Sequence, residues 1–382
     1  MEKGAGMILK KVGFENYELR EFPVPEPADD AILAKVIMCG ICGTDVHITR
    51  GRLPMPFPTM LGHEWCGTVA VLGKNVNKDF IGKPLKVGDY ITTAVGSCGK
   101  CWFCRNTPRG NLCEKMAMIG IWPEPVDKPP WFYGAYSEYA YIEPNIPVFK
   151  LPDGFTSEEM VMVEPLDVAA RVWTRALAAS TCASFVGEGV NITQTVAILG
   201  SGPIGMSILV TALVHGMGNV IMIDPIQARL DKAKVLGAAH TINPKDAATN
   251  TIEKRAKAVK DLTEGIGADV VIEATGEPPA FEEAFELVRR GGTFVEMGHF
   301  TDTGNATVNP HRHFVHKDIQ VFGTWAHTSY DMRAAIAIMI RAKALGIPFG
   351  KIVSEKAKLD QTPKMVERHE ARVSPGKIVV VP

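Results

Sequence analysis

The chain has 382 residues, of which 46% are hydrophobic and 8% aromatic, and its formal charge is −1. This length predicts two domains, and the balanced charge without long Lys/Arg runs argues against a nucleic-acid partner. No segment offers about 20 apolar residues free of charges, and the first residues lack the apolar stretch of a secretory signal. We therefore expect a cytoplasmic protein with no membrane contact.

Short β-type runs fill the chain from residue 7 to residue 95. Apolar segments such as 31–40 and 65–73 alternate with turn-forming stretches rich in Pro or Gly, including 23–30 and 52–59. This pattern predicts a compact β-rich domain. Its metal-binding residue types stand where strands give way to loops, the usual position of functional groups on a rigid scaffold.

The stretch from residue 39 to residue 64 carries three kinds of metal-binding group. Cys42 offers a thiol, His63 an imidazole and Glu64 a carboxylate. A catalytic zinc site with one open position is built from such a mixed set of donors. Taken singly, Cys42 could be a small buried residue and His63 a core histidine with its hydrogen bonds satisfied. Together they predict a catalytic zinc site.

Three polar residues between these donors can support the metal site. Asp45 can accept a hydrogen bond from a metal-bound imidazole, as ligand histidines usually require. Thr44 and His47 are of the types that can carry a proton from a zinc-bound alcohol to water. The segment therefore fits both a proton path and a support for the ligands.

Four of the eight cysteines fall within sixteen residues. In a reducing compartment their C-x-x-C-x-x-C spacing indicates metal binding, and four thiolates can close a tetrahedral zinc shell that leaves no room for substrate. A redox-active disulfide is the alternative, but the number of clustered cysteines favours a structural zinc site. The four are Cys98, Cys101, Cys104 and Cys113.

Residues 120–134 are rich in Pro and Trp and have no clear period, so they predict an ordered loop. Its aromatic side chains could wall a substrate pocket or fill the edge of the domain, and the sequence leaves both interpretations open. They are Trp122, Trp131, Phe132 and Tyr133.

A helical pattern runs from residue 157 to about residue 179 and opens with a capping-box pattern at Thr156 and Glu159. Glu164 lies within it in an apolar setting, and Pro165 marks a local break. A carboxylate in such a setting is costly unless it is paired or coordinates a metal. Glu164 is therefore a further candidate ligand.

From residue 195 to residue 295 apolar strands alternate with helical patterns, which predicts a parallel sheet covered on both faces. The first strand runs into a G-x-G-x-x-G turn that opens a helix, and Asp224 ends the second strand 19 residues after Gly205. Such glycines let a pyrophosphate approach a helix N-terminus, while the carboxylate accepts from ribose hydroxyls and repels a 2′-phosphate. The pattern favours NAD over NADP, and a plain βαβ turn is the alternative. The motif residues are Gly200, Gly202, Pro203, Ile204 and Gly205.

The last part of the chain contains a helical pattern at 331–345 and a final strand at 377–381. This ending suits a return to the β-rich first domain.

These motifs together resemble the zinc-containing alcohol dehydrogenases of the medium-chain dehydrogenase/reductase superfamily over essentially the whole chain. The matches are GICGTDVH, GHE, the four-cysteine segment, the glycine motif with its distant aspartate, and E-P-L at 164–166, which is typical of the polyol and sorbitol dehydrogenase-like branch. The resemblance implies an α/β fold. A Rossmann NAD-binding domain would span 167–324, and a β-rich GroES-like catalytic domain 1–166 and 325–382.

The resemblance also implies roles for single residues. The catalytic zinc would bind Cys42, His63 and Glu164, with Glu64 as an adjacent or alternating ligand, and a second zinc would bind the four-cysteine segment. The remaining roles are orientation of His63 by Asp45, a proton relay through Thr44 and His47, and contact of Arg229 with the adenosine ribose.

Three features depart from the family pattern. Cys104 and Cys113 enclose one residue more than is usual, and the chain is longer than its relatives around 181–194. Ile48 stands where sorbitol dehydrogenases commonly carry a tyrosine, which weakens the case for an open-chain polyol as substrate.

We therefore predict an enzyme that transfers a hydride between NAD and a secondary alcohol/ketone pair, cyclic or aryl, with zinc polarising the oxygen. Alternatives are a polyol or sugar dehydrogenase of the same family, a zinc-free quinone or enoyl reductase, and a catalytically idle NAD-binding structural protein. The zinc donors argue against the zinc-free reductase. We expect a homodimer or homotetramer that acts on a small molecule.

Overall fold

The computed structural model describes residues 2–107, 109–182 and 193–382. The predicted insertion at 181–194 falls largely outside them. Within these ranges, no helix combines the length and the apolar character needed to cross a bilayer. The chain forms two compact units, one of Met1–Glu164, His327–Ile336 and Val353–Pro382, and the other of Pro165–Ala326 and Ala337–Ile352.

The strands are β1 (Lys3–Leu9), β2 (Tyr17–Pro23), β3 (Ile32–Gly40), β4 (Thr59–Met60), β5 (Glu64–Leu72), β6 (Tyr90–Thr93), β7 (Tyr139–Ile142), β8 (Val148–Lys150), β9 (Thr195–Leu199), β10 (Asn219–Ile223), β11 (His240–Ile242), β12 (Ala268–Glu273), β13 (Val288–Glu296), β14 (Gln320–Gly323), β15 (Val353–Lys358) and β16 (Lys377–Val381). The helices are α1 (Gly43–Thr49), α2 (Trp102–Asn106), α3 (Ser157–Met160), α4 (Val163–Cys182), α5 (Pro203–Val214), α6 (Gln227–Leu236), α7 (Ile252–Asp261), α8 (Pro278–Leu287), α9 (Ser329–Ala344) and α10 (Thr362–Glu370).

The first unit is built on two sheets, as the β-type runs predict. In the larger sheet the strand order is β15-β16-β3-β5-β6-β8, with β7 paired to β3, and a smaller sheet has the order β2-β1-β4. Apolar side chains of both ends of the chain share one core, including Trp65 and Ile91 on inner strands and Ile378 on the last. The final strand therefore returns to the first unit.

Three strand ends meet at one place in this unit. β3 ends at Gly40, β5 begins at Glu64, and β16 begins at Lys377. Gly40 pairs with Glu64 across β3 and β5, and with Val379 across β3 and β16. This register brings the start of the C-terminal strand next to the segment that carries Cys42.

The second unit contains a six-stranded parallel sheet with the order β11-β10-β9-β12-β13-β14. Every residue of β9 and all but one of β12 are buried, as the continuous apolar runs of the sequence predict. Because all the strands are parallel, their carboxyl ends lie along one edge, where ligands of such sheets bind. The residues at these ends are Leu199, Ile223, Glu273 and Glu296.

The helical pattern predicted from residue 157 onward is divided into α3 and α4. The predicted capping box is confirmed, since the Thr156 hydroxyl accepts from the Glu159 backbone N–H (3.2 Å) and the Glu159 carboxylate accepts from the Thr156 N–H (2.8 Å). Pro165 lies in the first turn of α4, where a backbone N–H has no partner within the helix. The break therefore precedes the proline.

Candidate active site

Strand ends bring three metal-binding groups together in the first unit. Cys42 stands between β3 and α1, and His63 directly precedes Glu64 at the start of β5. The donor atoms of these three residues all lie within 4.8 Å of one another. Gly62 has a φ of +95°, and a β-carbon there would lie only 2.7 Å from the backbone nitrogen of Tyr136. The close approach of the chain at residue 62 to the backbone of Tyr136 therefore requires glycine.

The surroundings of these donors attract positive charge. Burial opposes protonation of His63, but the negative groups of Cys42, Asp45 and Glu164 raise its pKa to about 10. One buried oxygen of Glu64, Oε1, has no hydrogen-bond partner in the described chain. A thiol, an imidazole and a carboxylate in such a field are suitable ligands for zinc. The residues present therefore fit a zinc ion.

Glu164 lies outside this 4.8 Å cluster. Its side chain is buried at the start of α4, and its Oε1 is 3.2 Å from Nε2 of His327. Burial works against ionisation of Glu164, but the neighbouring His327 and His63 outweigh it and lower the pKa of the carboxyl group. Sequence reasoning missed His327, because no local pattern connects it with residue 164.

Glu64 forms an ion pair with Lys377. Oε2 of Glu64 meets Nζ of Lys377, and the two side chains are only 1% and 2% exposed. The ammonium also donates to the carbonyl oxygen of Ile41 at 3.2 Å. Sequence reasoning missed Lys377, although a lysine that opens an otherwise apolar strand is unusual enough to indicate a buried partner.

Asp45 contacts both the backbone of Cys42 and the ring of His63. Its Oδ2 accepts from the backbone N–H of Cys42 at 2.8 Å and from the hydroxyl of Tyr136 at 2.7 Å. Its Oδ1 is 3.7 Å from Nδ1 of His63. A carboxylate in this position suits the orienting role that the family resemblance implies.

Thr44 and His47 lie three residues apart on α1 and therefore face the same side of the helix. The thiol of Cys42 is 3.5 Å from the hydroxyl oxygen of Thr44. Burial and the nearby Arg52 lower the pKa of His47, which favours the neutral imidazole at neutral pH. These two residues can thus accept a proton near the metal donors and pass it outward.

The four cysteines of the predicted structural site also come together. Their sulfur atoms lie within 4.8 Å of one another, and all four are free thiols. Backbone N–H groups of Lys100 and Cys101 lower the pKa of Cys98 to about 6, whereas burial raises that of Cys113 to about 12. The longer spacing before Cys113 is therefore compatible with one four-thiol cluster, which fits a zinc ion.

The aromatic loop divides into two parts. Phe132 is fully buried and Trp131 stacks on Phe22 at 5.7 Å, so these rings fill the domain interior. Trp122 is buried in the other core cluster of this unit, where it stacks flat on Tyr133 with ring centroids 4.2 Å apart.

Ile48, which stands where sorbitol dehydrogenases commonly carry a tyrosine, has no exposed surface and packs in the core of the first unit. Its side chain therefore contributes to the packing of that core.

The glycine motif forms a close turn between β9 and α5. Gly200 has a φ of +99°, and a β-carbon on Gly205 would lie 1.8 Å from the carbonyl oxygen of Gly200. Gly202 caps α5 without any side-chain hydrogen bond, and Pro203 occupies its first turn. The helix N-terminus is thus reachable by a pyrophosphate group, which these residues fit.

Asp224 follows β10 beside this turn. Its two oxygens accept from the backbone N–H groups of Ser201 and Ile226, both at 2.8 Å. Nη1 of Arg229 is 3.8 Å from the carboxylate. The structure therefore brings Asp224 and Arg229 together at the edge where a nucleotide ribose is expected. Ile204 lies in the first turn of α5.

The chain matches two family models and resembles known dehydrogenases. The alcohol dehydrogenase GroES-like domain matches residues 28–153, and the zinc-binding dehydrogenase domain matches residues 203–341. The 5-exo-hydroxycamphor dehydrogenase of Pseudomonas putida is 30% identical over 92% of this chain and 91% of its own length. The sorbitol dehydrogenase of Bacillus subtilis is 32% identical over 74% of this chain and 71% of its own.

A solved structure gives the same result. An alcohol dehydrogenase from Thermotoga maritima superimposes with a TM-score of 0.89 at 28% identity, covering 100% of both chains. The predicted fold, a Rossmann sheet combined with a β-rich GroES-like domain, is confirmed. The chain belongs to the zinc-containing alcohol dehydrogenases of the medium-chain dehydrogenase/reductase superfamily, in the polyol dehydrogenase-like branch, and is a zinc-binding oxidoreductase.

Proposed function

We propose that the catalytic zinc is held by Cys42, His63 and Glu164, and that the enzyme interconverts a secondary alcohol and a ketone. The observation that carries this proposal is the convergence of the Cys42 thiol and the His63 imidazole at one set of strand ends, with the buried carboxylate of Glu164 near enough to raise the pKa of His63. When bound, zinc supplies polarisation of the alcohol oxygen and NAD supplies the hydride acceptor.

The side chains around the metal hold and orient its ligands in this proposal. Asp45 fixes the ring of His63 and, through the backbone N–H of Cys42, the position of the thiolate. The Thr44 hydroxyl would accept the alcohol proton while it passes its own proton on, and the neutral imidazole of His47 would take up that proton and release it to solvent. The neutral state of His47 that burial favours leaves it able to accept that proton.

The second unit would bind the cofactor. The turn at Gly200, Gly202 and Gly205 seats the pyrophosphate against α5, with Pro203 and Ile204 in the first turn of that helix. Asp224 accepts from the adenosine ribose, and Arg229 lies beside it. The Asp224 carboxylate would repel a 2′-phosphate, which supports NAD as the preferred cofactor.

For the substrate we propose a cyclic or aryl secondary alcohol. The stacked pair of Trp122 and Tyr133 belongs to the segment that approaches the metal ligands, since a β-carbon on Gly120 would lie 2.7 Å from the backbone nitrogen of His63. An aromatic wall favours an apolar ring over a polyol chain. The name of the hydroxycamphor dehydrogenase relative supports a cyclic alcohol, whereas that of the sorbitol dehydrogenase relative supports a polyol.

The assembly and location are part of the same proposal. We expect a cytoplasmic homodimer or homotetramer, with residues 1–166 and 325–382 as the catalytic domain and 167–324 as the NAD-binding domain. The two compact units support this division. The free thiols of the four-cysteine segment support a reducing compartment. Light scattering during gel filtration would give the number of chains.

The test is formation of NADH from NAD⁺ across a panel of cyclic, aryl, aliphatic and polyol alcohols, with native and zinc-depleted enzyme. We expect the highest kcat/KM with a cyclic or aryl secondary alcohol, and loss of turnover on depletion that added zinc restores. A higher kcat/KM with polyols would instead identify the enzyme as a polyol or sugar dehydrogenase. Undiminished turnover of the zinc-depleted enzyme would contradict the proposed chemistry.

A further inference from the structure

Two buried carboxylates lie near Cys42 and His63, and a zinc site with one open position has room for only one of them. Glu64 belongs to the 4.8 Å donor cluster, and its buried Oε1 lacks a hydrogen-bond partner in the described residues. Glu164 lies outside that cluster. Distance from Cys42 and His63 alone would therefore favour Glu64 as the zinc ligand. If Glu164 is the ligand, some other interaction must keep Glu64 away from the metal.

The side chain of Lys377 supplies that feature. Its ammonium pairs with Oε2 of Glu64 and also donates to the carbonyl oxygen of Ile41. If Glu64 moved to a metal ion, the ammonium would remain buried without a counter-charge, which is strongly unfavourable. Glu164 instead lies 3.2 Å from the imidazole of His327, so its movement toward the metal leaves no lysine ammonium without its counter-charge.

The sheet fixes this ion pair in place. A β-carbon on Gly40 would lie 2.4 Å from Oε2 of Glu64 and 3.2 Å from Cδ of Lys377, so only glycine leaves room for both side chains. Gly40 stands opposite Glu64 in the register of β3 and β5, and Lys377 opens the strand on the other side of β3. The position of the ion pair therefore depends on the pairing of β3 with β5 and with β16.

We propose that Lys377 is a positioning residue that selects the third zinc ligand. By pairing with Glu64 it keeps that carboxylate off the metal and leaves the position to Glu164. This inference rests on the ligand set proposed above. A lysine of β16 thus determines which residue coordinates an ion whose ligands lie more than two hundred residues earlier in the sequence.

The experiment measures zinc per chain in variants that lack Glu164. Glu164→Ala should lose the catalytic zinc and keep the zinc of the four-cysteine segment, which serves as an internal reference. In Glu164→Ala/Lys377→Met the catalytic zinc should return, because the released Glu64 can take the vacant position. Methionine keeps the length and apolar stem of lysine but removes the charge. Adding Glu64→Gln to this double variant should abolish the recovery.

Two controls separate selection from a general effect of removing a lysine. Lys356 lies on the neighbouring strand β15 and is exposed, so Glu164→Ala/Lys356→Met should lose the catalytic zinc as Glu164→Ala does. Lys377→Arg keeps the charge and should not restore zinc in the Glu164→Ala background. Circular dichroism reports whether each variant is folded. Should the Lys377→Met double variant not fold, Glu164→Ala/Lys377→Gln replaces it, because glutamine also removes the charge but can still donate to the carbonyl oxygen of Ile41.

The outcomes distinguish this inference from the ligand set on which it rests. If Glu164→Ala keeps both zinc ions, the proposed ligand set is wrong. If Glu164→Ala loses one ion and the folded Lys377→Met double variant loses it as well, the ligand set stands and the selecting role of Lys377 is overturned. Loss of one zinc ion in Glu64→Gln would likewise overturn it.

Discussion

The hydroxyl of Tyr136 donates a 2.7 Å hydrogen bond to Oδ2 of Asp45, and neither side chain has exposed surface. The other oxygen of Asp45 faces His63. The orientation of a proposed zinc ligand therefore depends on a tyrosine that lies 91 residues away from the aspartate in sequence.

Tyr136→Phe removes this donor while preserving the ring. We expect the free energy of unfolding to fall by about 1–3 kcal/mol, because a buried carboxylate oxygen loses a partner. Zinc should also dissociate faster in a competition with a chromogenic chelator, since His63 is held less firmly. Tyr139→Phe is the matched control, because that hydroxyl binds Glu2 away from the site. Equal rates of zinc dissociation from the two variants would show that Tyr136 does not help to hold the zinc ligands in place.

Thr44→Val tests the proton path. The methyl group keeps the volume of the side chain, but the hydroxyl next to the Cys42 thiol is lost. We expect kcat at neutral pH to fall by about 100-fold, within the range that proton transfer by a positioned group contributes, while zinc content stays normal. Steady-state kinetics with metal analysis gives both quantities. Full turnover with normal zinc would exclude Thr44 from the mechanism.

Asp224→Asn tests cofactor choice. The amide oxygen can still accept from a backbone N–H of the turn, but the charge that repels a 2′-phosphate is gone. We expect the ratio of kcat/KM for NAD to that for NADP to fall at least about tenfold, which corresponds to ~1.4 kcal/mol. Asp261→Asn, an exposed aspartate of the same unit, should leave the ratio unchanged. An unaltered ratio in Asp224→Asn would argue against its contact with the ribose.

Glu273 makes stability depend on pH. It is fully buried at the end of β12, and burial together with the nearby Glu296 raises its pKa to about 7. In the folded chain Glu273 keeps its proton up to about pH 7, whereas in the unfolded chain it releases the proton above its ordinary, lower pKa. Glu273 therefore stabilises the fold at low pH, and this contribution is lost as the pH rises through 7.

The variant Glu273→Gln, which stays neutral, should remove this dependence. We expect the difference in unfolding free energy between variant and native protein to shift in favour of the variant by about 1–3 kcal/mol between pH 5 and pH 8. Urea denaturation at both pH values measures it. A pH-independent difference would show that Glu273 does not change protonation in this range.

Local patterns in the sequence were sufficient for much of the fold. The strands β9 and β10 are largely apolar runs, and the turn at Gly200 can be predicted from its spacing because the close approach of Gly205 to the carbonyl oxygen of Gly200 lies within six residues. The same holds for the capping box at Thr156 and for the four cysteines, which lie within sixteen residues. In these cases the physical requirement is met by neighbours along the chain.

Residues that support the metal site from a distance could not be predicted in this way. Lys377 meets Glu64 across 313 residues, and the contact exists only because β16 pairs with β3 in one particular register. His327 and Tyr136 reach Glu164 and Asp45 by comparable long-range packing. Such pairs depend on strand register and domain packing, which the spacing of residue types does not encode. The predicted domain boundaries stay a prediction.

The most direct test of the proposed site is the zinc content of the native chain and of Glu164→Ala, measured by mass spectrometry of metals after removal of loosely bound ions. Two zinc ions per native chain are expected, one on Cys42, His63 and Glu164 and one on the four cysteines. The variant should retain only the second, with its folding intact by circular dichroism. Two tightly held ions in the folded variant would contradict the assignment of Glu164 and make Glu64 the better candidate.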